Sequence, residues 1–467
     1  MCDSVAAIVD SGDFDDGLAA WILRRPAPAK KGSMVLERMC TRVSAGLRRL
    51  ADTRAEQIAF TRLFRNPQVT VPEIVRTAAA RTGEAAAGRH VLIIEDSSEI
   101  NYEAKASRKR GLGRVGNGKD VGLFVHPALA VDAADGSVLG LAAATIWRRR
   151  GQKAHDYQAL PIEAKESYKW IATAKAARQA LTDTPLATVI GDREADIYEV
   201  LARLPDERTH VLIRAVRDRA LGEQGGRLFG EIAKTPEAGR TAFELQARPG
   251  RPARKVQLAV RFAAVALRQP RLGADCRDPR EITLNMVEVR EIDPPSPKEA
   301  VIWRLLTTHA VKTLADACRM VDLYRLRWTV EQLFRTVKSQ AIDLEESLLA
   351  DGEALERLAA TALIVATRVM QLVHGRNAAG QAFKAARLFS PAEITVLEAL
   401  IARLEGKTQK QNNPHPQHTL AWAAWCIARL GGWNGYAKER PPGPVTFSNG
   451  LRRFHAIAEG FALANPN

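Results

Sequence analysis

Between Met34 and Arg81 apolar residues recur every three to four positions, through LERMCTRVSAGLRRLADT and EQIAFTRLFRNPQVT, and predict helices. Arg65-Asn66-Pro67 ends one of them, and Pro72 suits the first turn of the next, PEIVRTAAART. The texture changes near residue 90. VLIIED is a short run rich in β-branched residues and predicts a buried strand. GLFVHPALAVD and SVLGLAAATIW follow as strands joined through Asp135-Gly136, a hairpin signal. Residues 163–180 return to helical spacing, ATVIGDREAD predicts a buried strand running into a helix start, and HVLIRAV predicts a further strand. Strands that come first and then alternate with helices define an α/β sheet with an antiparallel flank.

Residues 218–300 carry glycine and proline breaks (GEQGG, ARPGRPAR, DPPSP) between short alternating strands such as KVQLAVRF and EITLNMVEV. They read as a β-rich insertion, after which VIWRLLTT resumes the sheet. One long helical pattern then runs from Thr313 to Gln340, and helices dominate to the C-terminus. The organisation predicted is a helical N-terminal domain over 1–85 and an α/β core over 86–345, with its insertion at about 218–300. A helical C-terminal domain over 346–467 completes it. There is no internal repeat.

Composition adds a partner class. The chain has 68 Lys and Arg against 53 Asp and Glu, a net charge of +15, which favours a polyanion and most plausibly nucleic acid; a basic but ordinary cytosolic enzyme has the same balance. No stretch approaches the ~18 uninterrupted apolar residues of a spanning helix, and the opening MCDSVAAIVDSGDFDDG lacks the basic segment of a signal peptide. Cys2, Cys40, Cys276, Cys318 and Cys426 are scattered and suit a reducing compartment, so a cytoplasmic location without membrane partners is expected. His415 and His418 form an HxxH inside the polar stretch GKTQKQNNPHPQH, where a loop is expected rather than a metal site.

Asp96 ends the VLIIED strand and Asp192 follows ATVIG, and open α/β sheets place their sites at the carboxyl ends of such strands. Each has a plainer reading as well: Asp96 as a turn residue, Asp192 as a helix N-cap with Glu194 in the first turn. On the 313–340 helix, Tyr324, Arg327, Glu331, Arg335 and Lys338 share a wedge of roughly 80°. The plainer reading there is a salt-bridged solvated face, since Arg327 and Glu331 are four residues apart. Three cations around one glutamate also suit a surface that meets phosphates while the carboxylate binds a divalent ion. Two aspartates and a glutamate are hard oxygen donors of the kind Mg²⁺ prefers. A pair of such ions supports phosphodiester chemistry.

YRLRWTVEQLFRTVK carries Y-x2-R-x3-E-x6-K, and with IIEDSS and GDREAD in order the chain resembles a group of bacterial insertion-sequence transposases, the transposon-five transposase and its relatives. KESYKW, RPAR and WAAWCIARLGG also look like family segments, and the resemblance runs from about residue 55 to about 435. It implies a ribonuclease-H-like catalytic core with a β-rich insertion, and cut-and-paste DNA transposition at transposon ends. Asp96, Asp192 and Glu331 would be the metal-binding triad, with Mg²⁺ as the ion and Mn²⁺ as its substitute. Tyr324, Arg327 and Lys338 would contact end phosphates, with Arg335 and Arg214 at further basic positions. Trp303 would stack a flipped-out end base and favour a hairpin intermediate, although by itself it reads as a core or sheet-edge aromatic. Arg62 and Arg65 would touch the terminal repeat. The partners implied are double-stranded DNA (terminal inverted repeats and target) and a second copy of the chain in a homodimeric synaptic complex.

Three features depart from the pattern. The first 20 residues hold five aspartates and no Lys or Arg, Thr61 replaces the usual aromatic before Arg62, and TFSNGL has Ser and Asn where relatives have tryptophan and a basic residue. Competing readings are a metal-dependent nuclease of the same fold and a catalytically inactive DNA-binding relic. A glycosidase would not call for the cationic stripe.

Overall fold

The computed structural model describes residues 26–149, 151, 156–222, 225–245, 253–271, 275–296, 299–436 and 439–464. The acidic opening, Cys2 and most of ARPGRPAR lie outside them. Four helices come first: α1 (Pro26–Arg42), α2 (Leu47–Leu50), α3 (Arg54–Arg65) and α4 (Val71–Ala86). The Thr53 hydroxyl accepts from Glu56 N to start α3, and Pro67 stands two residues past its end. Strands β1 (His90–Glu95), β2 (Ser98–Asn101), β3 (Gly113–Val115), β4 (Asp120–Asp132) and β5 (Val138–Trp147) follow, then α5 (Lys169–Ala180), β6 (Leu186–Gly191), α6 (Tyr198–Arg203) and β7 (Thr209–Arg214). Next are α7 (Leu228–Lys234), β8 (Gly239–Leu245), β9 (Arg254–Arg268), β10 (Glu281–Glu291), β11 (Ile302–Thr307), α8 (Leu314–Arg325) and α9 (Trp328–Arg335). The chain ends in α10 (Gly352–Gly375), α11 (Pro391–Leu404), α12 (Leu420–Leu430) and α13 (Pro444–Ala464).

The chain divides into two compact units. One comprises 78–104 and 112–334, and it holds all eleven strands in a single sheet. At its centre β1 runs parallel to β6, and β6 parallel to β7. The strand β4 is antiparallel to β1, with β5 antiparallel on its other edge. The order is therefore β5-β4-β1-β6-β7, with α5 packed on β1, β4 and β5. Three strands in meander followed by two parallel crossovers is the ribonuclease-H-like arrangement, and all but one residue of β1 and of β6 is buried, as central parallel strands require. The β-rich insertion does not form a layer of its own. Its strands extend the same sheet as β7-β11-β10-β9-β8, all antiparallel, because β11 pairs Leu305–Thr307 with Leu212–Arg214 of β7. Alternation in the sequence shows that strands exist; which edge they join is decided by pairing.

At the amino ends of the parallel strands lies a cluster that periodicity could not reveal. Thr188 Oγ1 is 2.8 Å from His90 Nε2 and 2.7 Å from His309 Nε2, and the His210 ring stacks on His309 at 4.1 Å. Burial, then the neighbouring cations, hold His90 down to about 4 and His309 to about 3, so both are neutral at physiological pH.

The second unit comprises 1–77, 105–111 and 335–467, and its described elements are helical. Both ends of the chain contribute to it. Its core is α10, which packs against α1, α3, α12 and α13. By length and composition α10 is apolar enough to cross a membrane, the one such helix among the described residues, yet it is mostly buried inside the unit. Its two arginines bond within the unit: Arg368 donates to Leu388 O, and Arg357 donates to Phe64 O at 2.8 Å and to Val69 O at 2.5 Å. Arg357 thus caps the C-terminal end of α3, where the helix dipole favours a cation. Arg357→Ala strands those buried carbonyls and is expected to lower stability by about 2–4 kcal/mol in a denaturant titration. A loss under about 0.5 kcal/mol would show the cap to be dispensable.

Candidate active site

Asp96 sits in a gap in an otherwise continuous ladder. Glu95 faces Ala128 and Ser98 faces Val125 on β4, so β1 and β2 keep one register and Asp96 and Ser97 face Pro127 and His126. Pro127 has no N–H to give, and the ladder opens there. The freed Asp96 carboxylate accepts from Ser97 N at 2.8 Å, and Ser97 Oγ is 3.0 Å from His126 Nδ1. Beneath it, Glu95 Oε2 lies 3.7 Å from His126 Nε2, both side chains fully buried, with the His126 ring edge-on to Trp170 at 4.6 Å. Burial pushes Glu95 well up and His126 well down, so this pair is held uncharged.

Asp192 follows β6 and caps a short 3-10 turn, its Oδ1 accepting from Glu194 N at 2.8 Å. The turn is tight. A Cβ at Gly191 would come within 2.4 Å of the Ala195 methyl. Asp196, buried four residues on, fastens the turn to the loop after β7. Its Oδ2 accepts from Val216 N and Arg217 N at 2.8 Å each, and its Oδ1 accepts from Arg219 Nε and Nη2 at 3.0 and 2.6 Å. Lys169, from the KESYKW segment, lies 3.5 Å from Glu194.

Glu331 lies on α9, and here the helix expected over 313–340 is interrupted. The Thr313/Asp316 capping box starts α8, which ends at Arg325; a tight turn through Leu326 and Arg327 follows, with Arg327 N donating to Tyr324 O at 3.1 Å. A new helix begins at Trp328, and Thr336–Gln340 is a π-helical turn. Apolar spacing runs unbroken through the break, so periodicity alone could not disclose it. The five residues of the wedge therefore do not share one straight helix.

The consequence falls on Arg327. Its Nη1 donates to Asp96 Oδ2 at 2.8 Å and its Nη2 to Glu331 Oε1 at 3.0 Å, with the side chain 10% exposed. Burial first, then the charge of Asp192, raise Asp96 to about 6 against the pull of Arg327, and Glu331 adds to the rise. Carboxylates from β1, the turn after β6 and α9 thus lie in one another's field. Among the described residues no group of three His, Cys, Asp or Glu side chains is placed to hold a metal ion, and the Arg327 guanidinium stands between two of the three carboxylates. The donors themselves, three carboxylates whose mutual repulsion calls for a cation, fit a hard divalent ion.

Tyr324 is 2% exposed beside the guanidinium of Arg214, which donates to Ile302 O at 3.1 Å. Trp303 on β11 is half-buried, stacked on Phe243 at 5.5 Å and edge-on to Tyr324 at 5.4 Å, with Arg325 over the Phe243 ring. Arg62 and Arg65 are exposed on the last turn of α3, Arg335 is exposed and Lys338 half-buried; these four belong to the helical unit. Of the HxxH pair, His418 Nε2 lies 2.5 Å from Glu398 and His415 Nδ1 lies 3.3 Å from Gln381. Sequence reasoning passed over Asp196, Arg219, Lys169, His126 and Phe243. Asp196 and Lys169 lie in the quoted motifs GDREAD and KESYKW, where a second acid and a lysine flanking an active-site strand were the available signal.

A ribonuclease-H-like core with acids at its strand ends defines the fold class. Within it, residues 116–368, 253 of 467, match the family model of the transposase DDE domain, and the chain belongs to that family. The match includes Asp192 and Glu331 and begins after Asp96. Among solved structures, the chain is similar to a piggyBac transposase in a synaptic complex with hairpin DNA, at 11% identity and a TM-score of 0.35. That likeness covers 73% of this chain and 64% of that one.

In the folded protein Asp96 releases its proton near pH 6, against 3.8 for an unperturbed side chain. The folded state therefore holds more protons between those values. Charge on Asp96 costs stability above pH 6, and the cost is relieved as pH falls toward 3.8. Asp96→Asn is expected to stabilise the metal-free protein by about 1–3 kcal/mol at pH 8, less as pH drops through 6, in denaturation curves at several pH values. A gain independent of pH would remove burial and repulsion as its cause.

Proposed function

We propose that this protein is a DNA transposase that cuts phosphodiester bonds at the ends of a bacterial mobile element and joins those ends to target DNA. The observation carrying this reading is the convergence of Asp96 and Glu331 on one buried guanidinium, with Asp192 in the same field. In this reading Asp96, Asp192 and Glu331 hold Mg²⁺, with Mn²⁺ as substitute. A bound divalent ion supplies an activated water or 3′-hydroxyl and neutralises charge at the leaving oxygen.

The chain's own residues do the rest. Asp96 must be ionised to serve as a ligand, so protons compete with the ion for it and the reaction weakens as pH falls. The Asp196–Arg219 clamp and the Lys169–Glu194 pair keep the Asp192 turn in place. Arg214, and in the helical unit Arg335, Lys338, Arg62 and Arg65, are assigned to phosphates of the element's ends, while the buried Tyr324, expected from the resemblance to meet a phosphate itself, packs beside Arg214. Trp303 offers a ring for an extruded base, which favours a hairpin intermediate during excision. The reaction takes place in the cytoplasm on nucleoid DNA, in a synaptic homodimer.

Glu331→Ala and Asp192→Ala should each reduce cleavage of duplex DNA bearing the inverted repeats that flank the gene by on the order of 10³-fold or more, while end binding persists. Near-normal cleavage would exclude the substituted residue from the chemistry, and absence of strand-transfer products from the unaltered protein would reduce the reading to a nuclease. Lys338→Ala should lessen the salt dependence of end binding by roughly one unit of slope. An unchanged slope removes its phosphate contact.

A further inference from the structure

Two buried arginine–aspartate contacts in the α/β unit are built differently. Arg219 and Asp196 form a closed set: Nε and Nη2 both donate to Oδ1, Nη2 also donates to Asp196 O at 2.7 Å, and two backbone N–H groups satisfy Oδ2. Arg327 gives one nitrogen to each of two carboxylates on different elements, without the paired fork that makes such contacts strong. Its Nε is buried with no partner. One positive charge serves two acids, and among the described residues Asp192 has no ion-pair partner. The arrangement leaves a donor unsatisfied and negative charge in excess, which marks a contact poised to exchange rather than a structural clamp.

We propose that Arg327 is an internal counter-ion that closes the acidic site at rest and must release Asp96 and Glu331 before a divalent cation can take their oxygens. This rests on the reading of those acids as ligands. The exchange is competitive: Asp96 Oδ2 and Glu331 Oε1, which now accept from Arg327, are donors the ion would need. The break between α8 and α9 falls at Leu326–Arg327, so the backbone that carries this side chain is a turn and not the middle of a helix. Arg327 is then a positioning residue with two engagements. In one it braces the acids; once displaced by the ion, its guanidinium is free for a phosphate of the bound strand. Metal entry and phosphate capture are coupled through a single side chain.

The test is titration of Mn²⁺ alone into the metal-free full chain, with bound and free ion separated by electron paramagnetic resonance. Arg327→Gln, which removes the competing charge, should tighten Mn²⁺ binding by roughly ten- to a hundred-fold, and Arg327→Lys, which cannot bridge both carboxylates, should fall between it and the unaltered protein. Simple structural damage would weaken binding, so a gain in affinity is a readout that a scaffold role does not produce. Affinity unchanged or lowered in both variants, while Asp96→Asn abolishes binding, overturns the counter-ion role and leaves the acids as ligands. Mn²⁺ binding that survives Asp96→Asn undiminished overturns both.

Discussion

Mutual repulsion among three carboxylates is the constraint around which the α/β unit is organised. Asp96, Asp192 and Glu331 follow β1, follow β6 and lie on α9, and burial together with their mutual repulsion holds Asp96 protonated up to about pH 6. The structure meets the cost with one guanidinium, Arg327, shared between Asp96 and Glu331. A single cation cannot neutralise the set. The site is stable enough to fold and still demands positive charge, the usual compromise between stability and function.

Much of the surrounding architecture keeps these groups from relaxing apart. Pro127 opens the ladder where Asp96 must be free, and the neutral Glu95–His126 pair beneath it fills the interior without adding charge. Gly191 and the Asp196–Arg219 clamp tie the Asp192 turn to the loop after β7. The insertion strands continue the sheet through β11, which brings Trp303 and Phe243 beside Tyr324 on α8. Of these supports, the Asp196–Arg219 clamp is buried with both carboxylate oxygens hydrogen-bonded. The Arg327 contact is incompletely satisfied and sits at a helix break.

The acids and the basic residues near them were legible in the sequence because each follows a local rule. A carboxylate at the end of a β-branched run, a second after ATVIG and a glutamate flanked by cations at helical spacing need no knowledge of distant partners. Strand identities, the Asp135-Gly136 hairpin and the ends of α3 were legible for the same reason. The break at Leu326–Arg327 was not, since a tight i→i+3 turn preserves the apolar period. Nor was the engagement of Arg327 by Asp96, 231 residues away in the chain.

By itself the sequence determined the element types, the meander-then-crossover order of the core, the net charge of +15 and which acids stand at strand ends. Tertiary structure decided that the insertion joins the edge of the sheet beyond β7, and that helices from both ends of the chain share one unit around α10. It also decided that Tyr324 is buried, and that a guanidinium lies between two of the three acids. Local propensity acts over a few residues. Strand pairing, burial and charge compensation depend on groups that become neighbours only when the chain has closed on itself.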